Sequence, residues 1–454
     1  MTHRKPSPPT AIGPDRLAAW QARLASDPRA RAVAGALARC GIAEASLDNQ
    51  VFRRHPFVFS IETETGEITD QERSGRCWMF AALNTARVET MRRLNVETFE
   101  FSQNYTLFWD KLEKANYFLE SILATLDEPL DGRLVAHLLQ APVQDGGQWD
   151  MFAGLLAKYG AVPKSLMPET FDSANTGQLV RVLTAKLREF ACRLREGHAA
   201  GQSREDLAAR KDDMLYYVYQ LLVLTLGEPP SVVDFAWRDR EKQHHRISGV
   251  SPQDFFQRYV GWKLDDCISL IHAPTADKPY GRCYTVKYLG SVHEGRPIRY
   301  INVPIEVLKE SALRQLRDGH PVWFGCDVGK YLLRDSGIMD EQAFRYGETL
   351  GESFLMTKAQ RLDYGESLLT HAMVFTGVDL DDAGRPLTWR VENSWGEKSG
   401  TKGFYSMSDG WFDEYNYQIM VDRRYIDAEW LAALEQPLVE LEPWDPMGAL
   451  ALVR

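Results

Sequence analysis

The sequence predicts an α+β fold, with helices concentrated in its first half and strands in its second. Before residue 265, apolar residues recur at helical spacing, as in residues 103–126 and 150–160. After it, β-branched and aromatic residues alternate in short runs such as 284–289 and 322–326. With 454 residues, 44% of them hydrophobic, the chain can bury a large core, and a cleft is expected between the two halves.

Composition and charge argue against several classes of protein. The 63 Asp+Glu outnumber the 53 Lys+Arg and leave a net charge of −10, which disfavours a nucleic-acid partner. No apolar stretch reaches the roughly 18 residues of a membrane span, and the amino terminus lacks the apolar core of a signal peptide. The six cysteines show no metal-ligand spacing, so we expect free thiols and no metal. These observations predict a cytoplasmic protein without a membrane partner.

The segment Gln71-Glu-Arg-Ser-Gly-Arg-Cys77-Trp78 carries the strongest chemical signal. A helix is predicted to begin at Cys77, because Ser74-Gly75 supplies capping chemistry and apolar residues follow at helical spacing. A thiol at that position faces unpaired backbone N–H groups, which lower its pKa and make it a nucleophile. Gln71 is placed to return its amide as an oxyanion donor beside the Cys77 N–H. The alternative is a buried cysteine on an amphipathic helix.

A predicted hairpin supplies a second, independent signal. His371 opens an apolar strand, a turn follows at 381–384, and the return strand ends at Asn393. Paired positions in a hairpin add to a constant, and these two add to 764, so their side chains should lie opposite each other. An amide that accepts the imidazole N–H would fix the ring tautomer, and Trp395 would shield that bond from water. Alone, a histidine at a strand start is more often structural, but Asn393 and Cys77 together favour the catalytic interpretation.

These motifs resemble those of the papain-like cysteine peptidases, and more narrowly the bleomycin hydrolase and aminopeptidase C branch. Further motifs similar to that branch follow in order: Ser102-Gln-Asn-Tyr-Thr-Leu-Phe-Trp-Asp-Lys, Asp145-Gly-Gly-Gln-Trp-Asp-Met, Phe324-Gly-Cys-Asp-Val-Gly-Lys and Trp444-Asp-Pro-Met-Gly-Ala-Leu-Ala. The resemblance implies a helical half and a β-barrel-like half with a cleft between them, and no cofactor. It implies these roles: Cys77 as nucleophile, His371 as base and acid, Asn393 as orienting residue and Gln71 as oxyanion donor.

One spacing departs from the papain pattern. Cys77 and His371 are 294 residues apart (371 − 77), whereas about 130–150 is typical of papain-type enzymes. A charged, helical insertion absorbs the excess, and family members with such insertions form ring-shaped homohexamers around an internal chamber. We therefore expect five segments: an N-terminal tail and helix (1–45), a helical half with the nucleophile (46–174), a helical insertion (175–264), a β-rich half with the histidine and asparagine (265–430) and a C-terminal arm (431–454).

Two further segments are predicted to bind substrate. A Gly146-Gly147 pair is most often a turn, but the corresponding glycines of the family let a substrate backbone lie along the cleft wall. The arm carries Trp444 and other apolar residues that suit a solvated tail poorly, although a frayed terminus is the alternative. In the family it lies in the cleft, and its terminal carboxylate, here that of Arg454, meets the substrate's α-amine. The predicted substrate-binding residues are thus Gly146, Gly147, Trp395 and Arg454.

The arm is also longer than those it resembles. Family arms commonly stop close to the Ala-Leu-Ala sequence, so Leu452-Val453-Arg454 is an extension. Because the arm should lie near Cys77, we expect the protein to trim its own terminus.

The whole pattern predicts a cysteine aminopeptidase that removes N-terminal residues from peptides through an acyl-enzyme. By resemblance, it would also hydrolyse bleomycin-like amides. Two alternatives stay open: a nucleic-acid-binding regulator that uses the basic N-terminal segment, and a catalytically idle ring scaffold. The first alternative predicts a steep salt dependence of binding, and the second predicts that Cys77 reacts with an electrophile no faster than Cys192 or Cys267.

Overall fold

The computed structural model describes residues 12–451, which divide into two compact units. One unit comprises residues 12–54 together with Gln342–Leu355, and the other comprises His55–Glu341 and residues 356–451. The predictions for the tail before residue 12 and for Arg454 lie outside the described residues. None of the described helices is long and apolar enough to cross a membrane.

Helices dominate the described chain up to residue 226. The α-helices are α1 (Pro14–Ala25), α2 (Pro28–Ser46), α3 (Val51–Arg54), α4 (Cys77–Leu94), α5 (Gln103–Ala124), α6 (Arg133–Gln140), α7 (Trp149–Tyr159), α8 (Phe171–Ala174), α9 (Gly177–Ala199), α10 (Arg204–Leu226), α11 (Pro252–Tyr259), α12 (Ile305–Arg317), α13 (Tyr346–Leu350), α14 (Lys358–Asp363), α15 (Asp409–Tyr415) and α16 (Ala428–Leu431). Short 3₁₀ helices cover Lys164–Leu166, Leu264–Asp266, Arg423–Tyr425, Ala432–Glu435 and Pro446–Gly448. The predicted helices over 103–126 and 150–160 are confirmed by α5 and α7.

Strands dominate the rest. They are β1 (Ile61–Glu62), β2 (Val233–Arg238), β3 (His244–Val250), β4 (Cys267–Ile271), β5 (Arg282–Val286), β6 (Tyr300–Asn302), β7 (Val322–Cys326), β8 (Leu332–Leu333), β9 (Ile338–Met339), β10 (His371–Leu380), β11 (Pro386–Glu392), β12 (Phe404–Ser408), β13 (Asn416–Asp422) and β14 (Val439–Leu441). The main sheet runs in the order β14-β5-β6-β4-β13-β7-β10-β11-β12-β9-β8, with β1 paired to β10. The α+β fold class is confirmed.

The smaller unit consists of α1 to α3 and α13. Backbone bonds join its two segments, since Asp48 N–H donates to Ala343 O over 2.9 Å and Arg345 N–H to Ser46 O over 2.7 Å. Gly41 interrupts α2 with a positive φ of 79°, a conformation that glycine adopts without strain. Helix α1 buries none of its residues.

In the larger unit, α4 lies against the centre of the main sheet. Nearly every residue of α4 is buried, and the Trp323 indole N–H of β7 donates to Trp78 O over 3.0 Å. Farther along α4, the buried Arg87 guanidinium pairs with the Glu392 carboxylate at the end of β11, with 2.6 Å between Nη2 and Oε1. Helix α4 is therefore held to both strands that flank β10, the strand that begins at His371.

Two features differ from the sequence-based expectation. The strand-rich half is an open mixed sheet rather than a β-barrel-like one, because its end strands, β14 and β8, do not pair with each other. The predicted helical insertion at 175–264 contains α9 and α10, but its later part forms the hairpin β2–β3. The strand β2 buries alternate residues, Val233 most deeply, and this period of two is the signal that the helical interpretation passed over.

Candidate active site

Cys77 begins α4, as predicted. Its side chain is fully buried, and backbone N–H groups of Ala372, Trp78 and Cys77 itself face the sulfur. Because Ala372 belongs to β10, this contact places the thiol beside the start of the strand that carries His371. The Sγ atom also lies 3.4 Å from the carbonyl oxygen of Ala451 in the arm.

A short pairing between distant segments brings the two halves of the site together. Gln71 N–H donates to Ser394 O over 2.9 Å, and Gly396 N–H donates to Thr69 O over 3.1 Å. Asp70 and Trp395, between these bonds, form an antiparallel bridge. The segment that leads into the Cys77 helix is thereby joined to the segment that follows Asn393.

Gln71 lies buried in the loop directly before Cys77. Its side-chain Nε2 donates to Ser74 O over 2.6 Å, and the Ser74 hydroxyl donates back to Gln71 O over 2.5 Å. Since an amide nitrogen carries two N–H groups, one remains for a substrate oxygen. The predicted oxyanion role of Gln71 is therefore compatible with its position, although its first hydrogen bond is to its own loop.

His371 and Asn393 are in contact, but not through the predicted register. The imidazole Nε2 lies 2.9 Å from Asn393 Oδ1, which also accepts the Ser394 N–H over 2.8 Å. The hairpin pairs Val374 with Glu392, so paired positions add to 766 and the register is shifted by two residues from the expected one. The pair next to the turn, Leu380 and Pro386, already adds to 766, and the irregularities after Phe375 and Asp379 offset each other. The shift therefore comes from a turn centred on residue 383 rather than 382.

The ring that packs against the His371 imidazole is that of Trp395. Their ring centroids are 4.7 Å apart, and the Arg334 guanidinium covers the indole from 4.3 Å. Trp395 was expected among the substrate-binding residues, whereas its contacts here are with the imidazole. The second imidazole nitrogen, Nδ1, is buried without a hydrogen-bond partner among residues 12–451, so it is free to exchange a proton.

The electrostatics of the buried site differ from the sequence-based expectation. Burial raises the pKa of the Cys77 thiol to about 12, and the backbone N–H groups of Ala372 and Trp78 oppose this shift only in part. Burial also lowers the pKa of His371 to about 4, although its bond to Asn393 raises it. The expected low thiol pKa is thus not found while the site is covered, because desolvation of a thiolate outweighs the helix terminus.

The two glycines lie where a side chain would collide. A Cβ on Gly147 would come within 2.4 Å of the Trp78 ring, and one on Gly146 within 2.9 Å of Leu450 Cβ. A side chain at position 147 would collide with the nucleophile helix, and one at position 146 would collide with the arm. Both positions therefore require glycine. Ala451 N–H approaches Gly147 O at 3.4 Å, the contact expected of a chain that lies along the cleft wall.

The described part of the arm is ordered against the larger unit. Its strand β14 pairs in parallel with β5, and the Tyr300 hydroxyl donates to Met447 O over 3.2 Å. Closer to the thiol, the Gln148 side chain donates to Ala449 O. Ala451 is fully buried beside Cys77. A segment held in this way is not a frayed terminus.

Several residues that hold the arm carry no signal in the sequence. The Arg133 guanidinium lies 3.8 Å above the Trp444 ring, and the buried Lys278 Nζ lies 2.8 Å from Asp445 Oδ2. Each pair joins residues far apart in the chain, so only the folded structure reveals it. Over residues 12–451, no group of three or more His, Cys, Asp or Glu residues is arranged to hold a metal ion.

Comparisons with known proteins agree with this geometry. A model of the Peptidase C1-like family matches residues 11–448. The chain is 50% identical to an aminopeptidase C of Listeria monocytogenes serovar 1/2a over 395 residues, which are 87% of this chain and 89% of that protein. It is 41% identical to a bleomycin hydrolase of Gallus gallus over 449 residues, 97% and 99% of the two chains. The crystal structure of PepW from Lactobacillus rhamnosis HN001 matches with a TM-score of 0.95 and 48% identity, and covers 97% of this chain and 100% of its own.

Removal of residues 449–454 should activate the Cys77 thiol. With Ala451 gone, water reaches the sulfur, and its pKa should fall from about 12 towards the ordinary range. We expect alkylation of Cys77 by iodoacetamide at pH 7 to accelerate at least about tenfold, the change in thiolate that one pKa unit produces. The rate should be followed from pH 5 to 10 by mass spectrometry, with the exposed Cys192 as internal control. An unchanged rate and midpoint would show that the arm does not set the thiol's environment.

Proposed function

The chain belongs to the Peptidase C1-like family and is a cysteine aminopeptidase, and we propose that Cys77, His371 and Asn393 carry out its reaction. One observation carries this assignment. The Ala451 carbonyl oxygen lies 3.4 Å from Cys77 Sγ, so a peptide group of the chain itself reaches the thiol, as a substrate's peptide group must.

The proposed reaction is transfer of an acyl group to water. His371 Nδ1 takes the Cys77 proton, and the thiolate attacks the carbonyl carbon. The Cys77 N–H and the Gln71 amide donate to the oxyanion that develops. Imidazolium His371 then protonates the leaving amine, and a thioester remains on Cys77. Neutral His371 next removes a proton from water, which attacks the thioester and releases the acid.

Asn393 and Trp395 keep the imidazole in position for these transfers. The 2.9 Å bond from His371 Nε2 to Asn393 Oδ1 keeps the proton on Nε2 and leaves the lone pair on Nδ1. The Trp395 ring covers the imidazole on one face. These contacts support an active enzyme over an idle scaffold, and the acidic net charge of −10 gives no support to a nucleic-acid-binding regulator.

The arm restricts cleavage to the N-terminal residue of a substrate. A cavity of about 590 Å³ lies beside the arm, lined by Tyr288, Leu362 and Asp363 and by Trp444 and Leu450 of the arm. Because Ala451 lies against Cys77 Sγ and Leu450 against Gly146, we expect the arm to block a longer N-terminal extension of the substrate. Bleomycin-like amides with a free α-amine are proposed as substrates on the same basis.

The enzyme should distinguish substrates with a free α-amine from substrates with an acetylated one. We expect aminoacyl-coumarin amides to be cleaved by the wild type, their N-acetylated forms to be cleaved at least about a hundredfold more slowly, and Cys77→Ala to cleave neither. Initial rates from coumarin fluorescence check this. Equal rates on both forms would keep the cysteine peptidase but remove the role of the arm. No cleavage of the free form by fully processed wild type would contradict the proposed function.

The same geometry supports self-processing of the chain. The Ala451 carbonyl oxygen lies beside Cys77 Sγ, and hydrolysis of the Ala451–Leu452 bond by this thiol would release residues 452–454 and leave a carboxylate on Ala451. That carboxylate, rather than the one predicted for Arg454, would then pair with the substrate's α-ammonium.

Intact-mass spectrometry tests the processing directly. Purified wild type is expected to lack residues 452–454, whereas Cys77→Ala, expressed and purified in parallel, should retain them. Retention of Arg454 in catalytically active wild type would contradict self-processing. Loss of the residues from Cys77→Ala would assign the cleavage to another protease.

A homohexamer in the cytoplasm is proposed for the assembled enzyme. Helix α1 leaves Leu17, Trp20 and Leu24 45%, 45% and 63% exposed, an apolar stripe that a partner subunit would cover. All six cysteines are free, which suits a reducing compartment.

Light scattering after size exclusion measures the assembly. We expect a mass six times the 51.7 kDa of one chain, and smaller species for the variant Leu17→Ser/Leu24→Ser. Leu387→Ser, at an exposed leucine of the β10–β11 hairpin, is the matched control and should leave the mass unchanged. A monomeric wild type would refute the hexamer.

A further inference from the structure

Four charged side chains lie buried beside the cleft wall. Asp110, Lys111 and Lys114 come from α5, and Asp145 comes from the segment before the two glycines; none of their side chains is more than 8% exposed. Lys111 Nζ lies 2.8 Å from Asp145 Oδ1, and Lys114 Nζ lies 2.9 Å from Asp110 Oδ1. We call these four residues the ionic cluster. Burying so many charges is costly, and an apolar set of similar volume would pack at lower cost.

The two lysines of the ionic cluster donate hydrogen bonds to backbone carbonyls of the cleft wall. Lys114 Nζ donates to Gly146 O over 2.7 Å and to Gln144 O over 2.9 Å, and Lys111 Nζ donates to Gln144 O over 2.8 Å. In an extended segment successive carbonyls point to opposite sides. Since Gly146 O points inward to Lys114, Gly147 O points into the cleft, where it meets Ala451 N–H.

Asp145 connects the same wall to the loop before the nucleophile. Its Oδ2 accepts the Gly75 N–H over 2.9 Å and the Thr176 hydroxyl. Its backbone carbonyl accepts the Trp78 indole N–H over 2.6 Å. The carboxylate therefore holds the loop that carries Gln71, and it does so two residues before Cys77.

The charges of the ionic cluster differ in how firmly they are held. Burial lowers the pKa of Lys114 to about 8, although Asp110 raises it. For Lys111, burial lowers the pKa, but Asp145 and Asp110 raise it above its ordinary value. Burial raises the pKa of Asp145, but Lys111 lowers it below the usual range. Lys111 therefore pairs with Asp145, whereas Lys114 pairs with Asp110 and also binds the backbone carbonyls of Gln144 and Gly146.

We propose that Lys114 and Asp145 are positioning residues with separate tasks, an inference that rests on the proposed aminopeptidase function. Lys114 orients the Gly147 carbonyl that accepts an N–H from the chain in the cleft, so it acts on substrate binding. Asp145 holds Gly75 and thereby the oxyanion donors of Gln71 and Cys77, so it acts on the chemical step. Neither residue touches the reacting atoms.

The separation of KM from kcat tests the two tasks. Lys114→Met should raise KM for a free-amine aminoacyl-coumarin about tenfold, the effect of one lost hydrogen bond, with kcat within about twofold. Asp145→Asn should lower kcat at least about tenfold, short of the 100- to 1000-fold that loss of one oxyanion donor costs, with KM within about threefold. Active sites are titrated with an irreversible thiol reagent, so misfolded protein is not counted. Lys211→Met, which removes a lysine bound to Asn116 and Glu120 away from the wall, should match wild type.

A double variant separates the hydrogen bond from the charge. In Asp145→Asn the single amide oxygen will turn to the Lys111 ammonium, so Gly75 N–H loses its acceptor. In Lys111→Met/Asp145→Asn the buried pair is gone, the oxygen turns back to Gly75, and kcat should return to within about threefold of wild type. This double variant also tests the role of the hydrogen bond to Gly75 if Asp145→Asn alone does not fold.

Three results would overturn the inference. One is unchanged kcat and KM per titrated site in Lys114→Met and Asp145→Asn, with only the melting temperature lowered. Another is the reverse division, with kcat lost in Lys114→Met and KM raised in Asp145→Asn. The third is a double variant as slow as Asp145→Asn. Each leaves the proposed function standing, whereas a wild type without activity on the free-amine substrate would remove that function itself.

Discussion

The whole site depends on a short backbone pairing between residues 69–71 and 394–396. Two hydrogen bonds, from Gln71 N–H to Ser394 O and from Gly396 N–H to Thr69 O, join the chain before the nucleophile helix to the chain after Asn393. Backbone hydrogen bonds fix both the position and the direction of the segments that they join. This pairing therefore sets the distance between the start of the nucleophile helix α4 and the end of strand β11. The buried pair of Arg87 and Glu392 strengthens the same connection from the helix side.

Desolvation is the second constraint, and it opposes the chemistry that the site is built for. A helix terminus favours a thiolate at Cys77, but the covering arm removes the water that a thiolate needs. In this covered state, burial favours the neutral forms of both the thiol and the imidazole. The C-terminal arm accounts for both properties, because it blocks the cleft to longer substrates and also excludes water from Cys77 Sγ.

Sequence reasoning found the parts of the site that local chemistry specifies. The start of α4 at Cys77 followed from capping and periodicity, and the contact of His371 with Asn393 followed from hairpin geometry. It placed the register two residues away because the turn is centred on residue 383 rather than 382, and the turn-forming residues do not specify which of them is the centre. It also passed over hairpin β2–β3, whose alternation lies within a charged stretch, and expected a barrel where the sheet is open. The ionic cluster was invisible, since charges on a helix normally indicate a solvated face.

The site takes its groups from four widely separated stretches of the chain, near residues 71–78, 145–148, 371–395 and 449–451. Contacts between such distant stretches close long loops of the chain, and each closure costs conformational entropy that the finished contacts must offset. No short fragment or early folding intermediate contains both the thiol and its imidazole. Peptidase activity therefore requires all four stretches to be in place, and a chain that ends before residue 371 cannot have it.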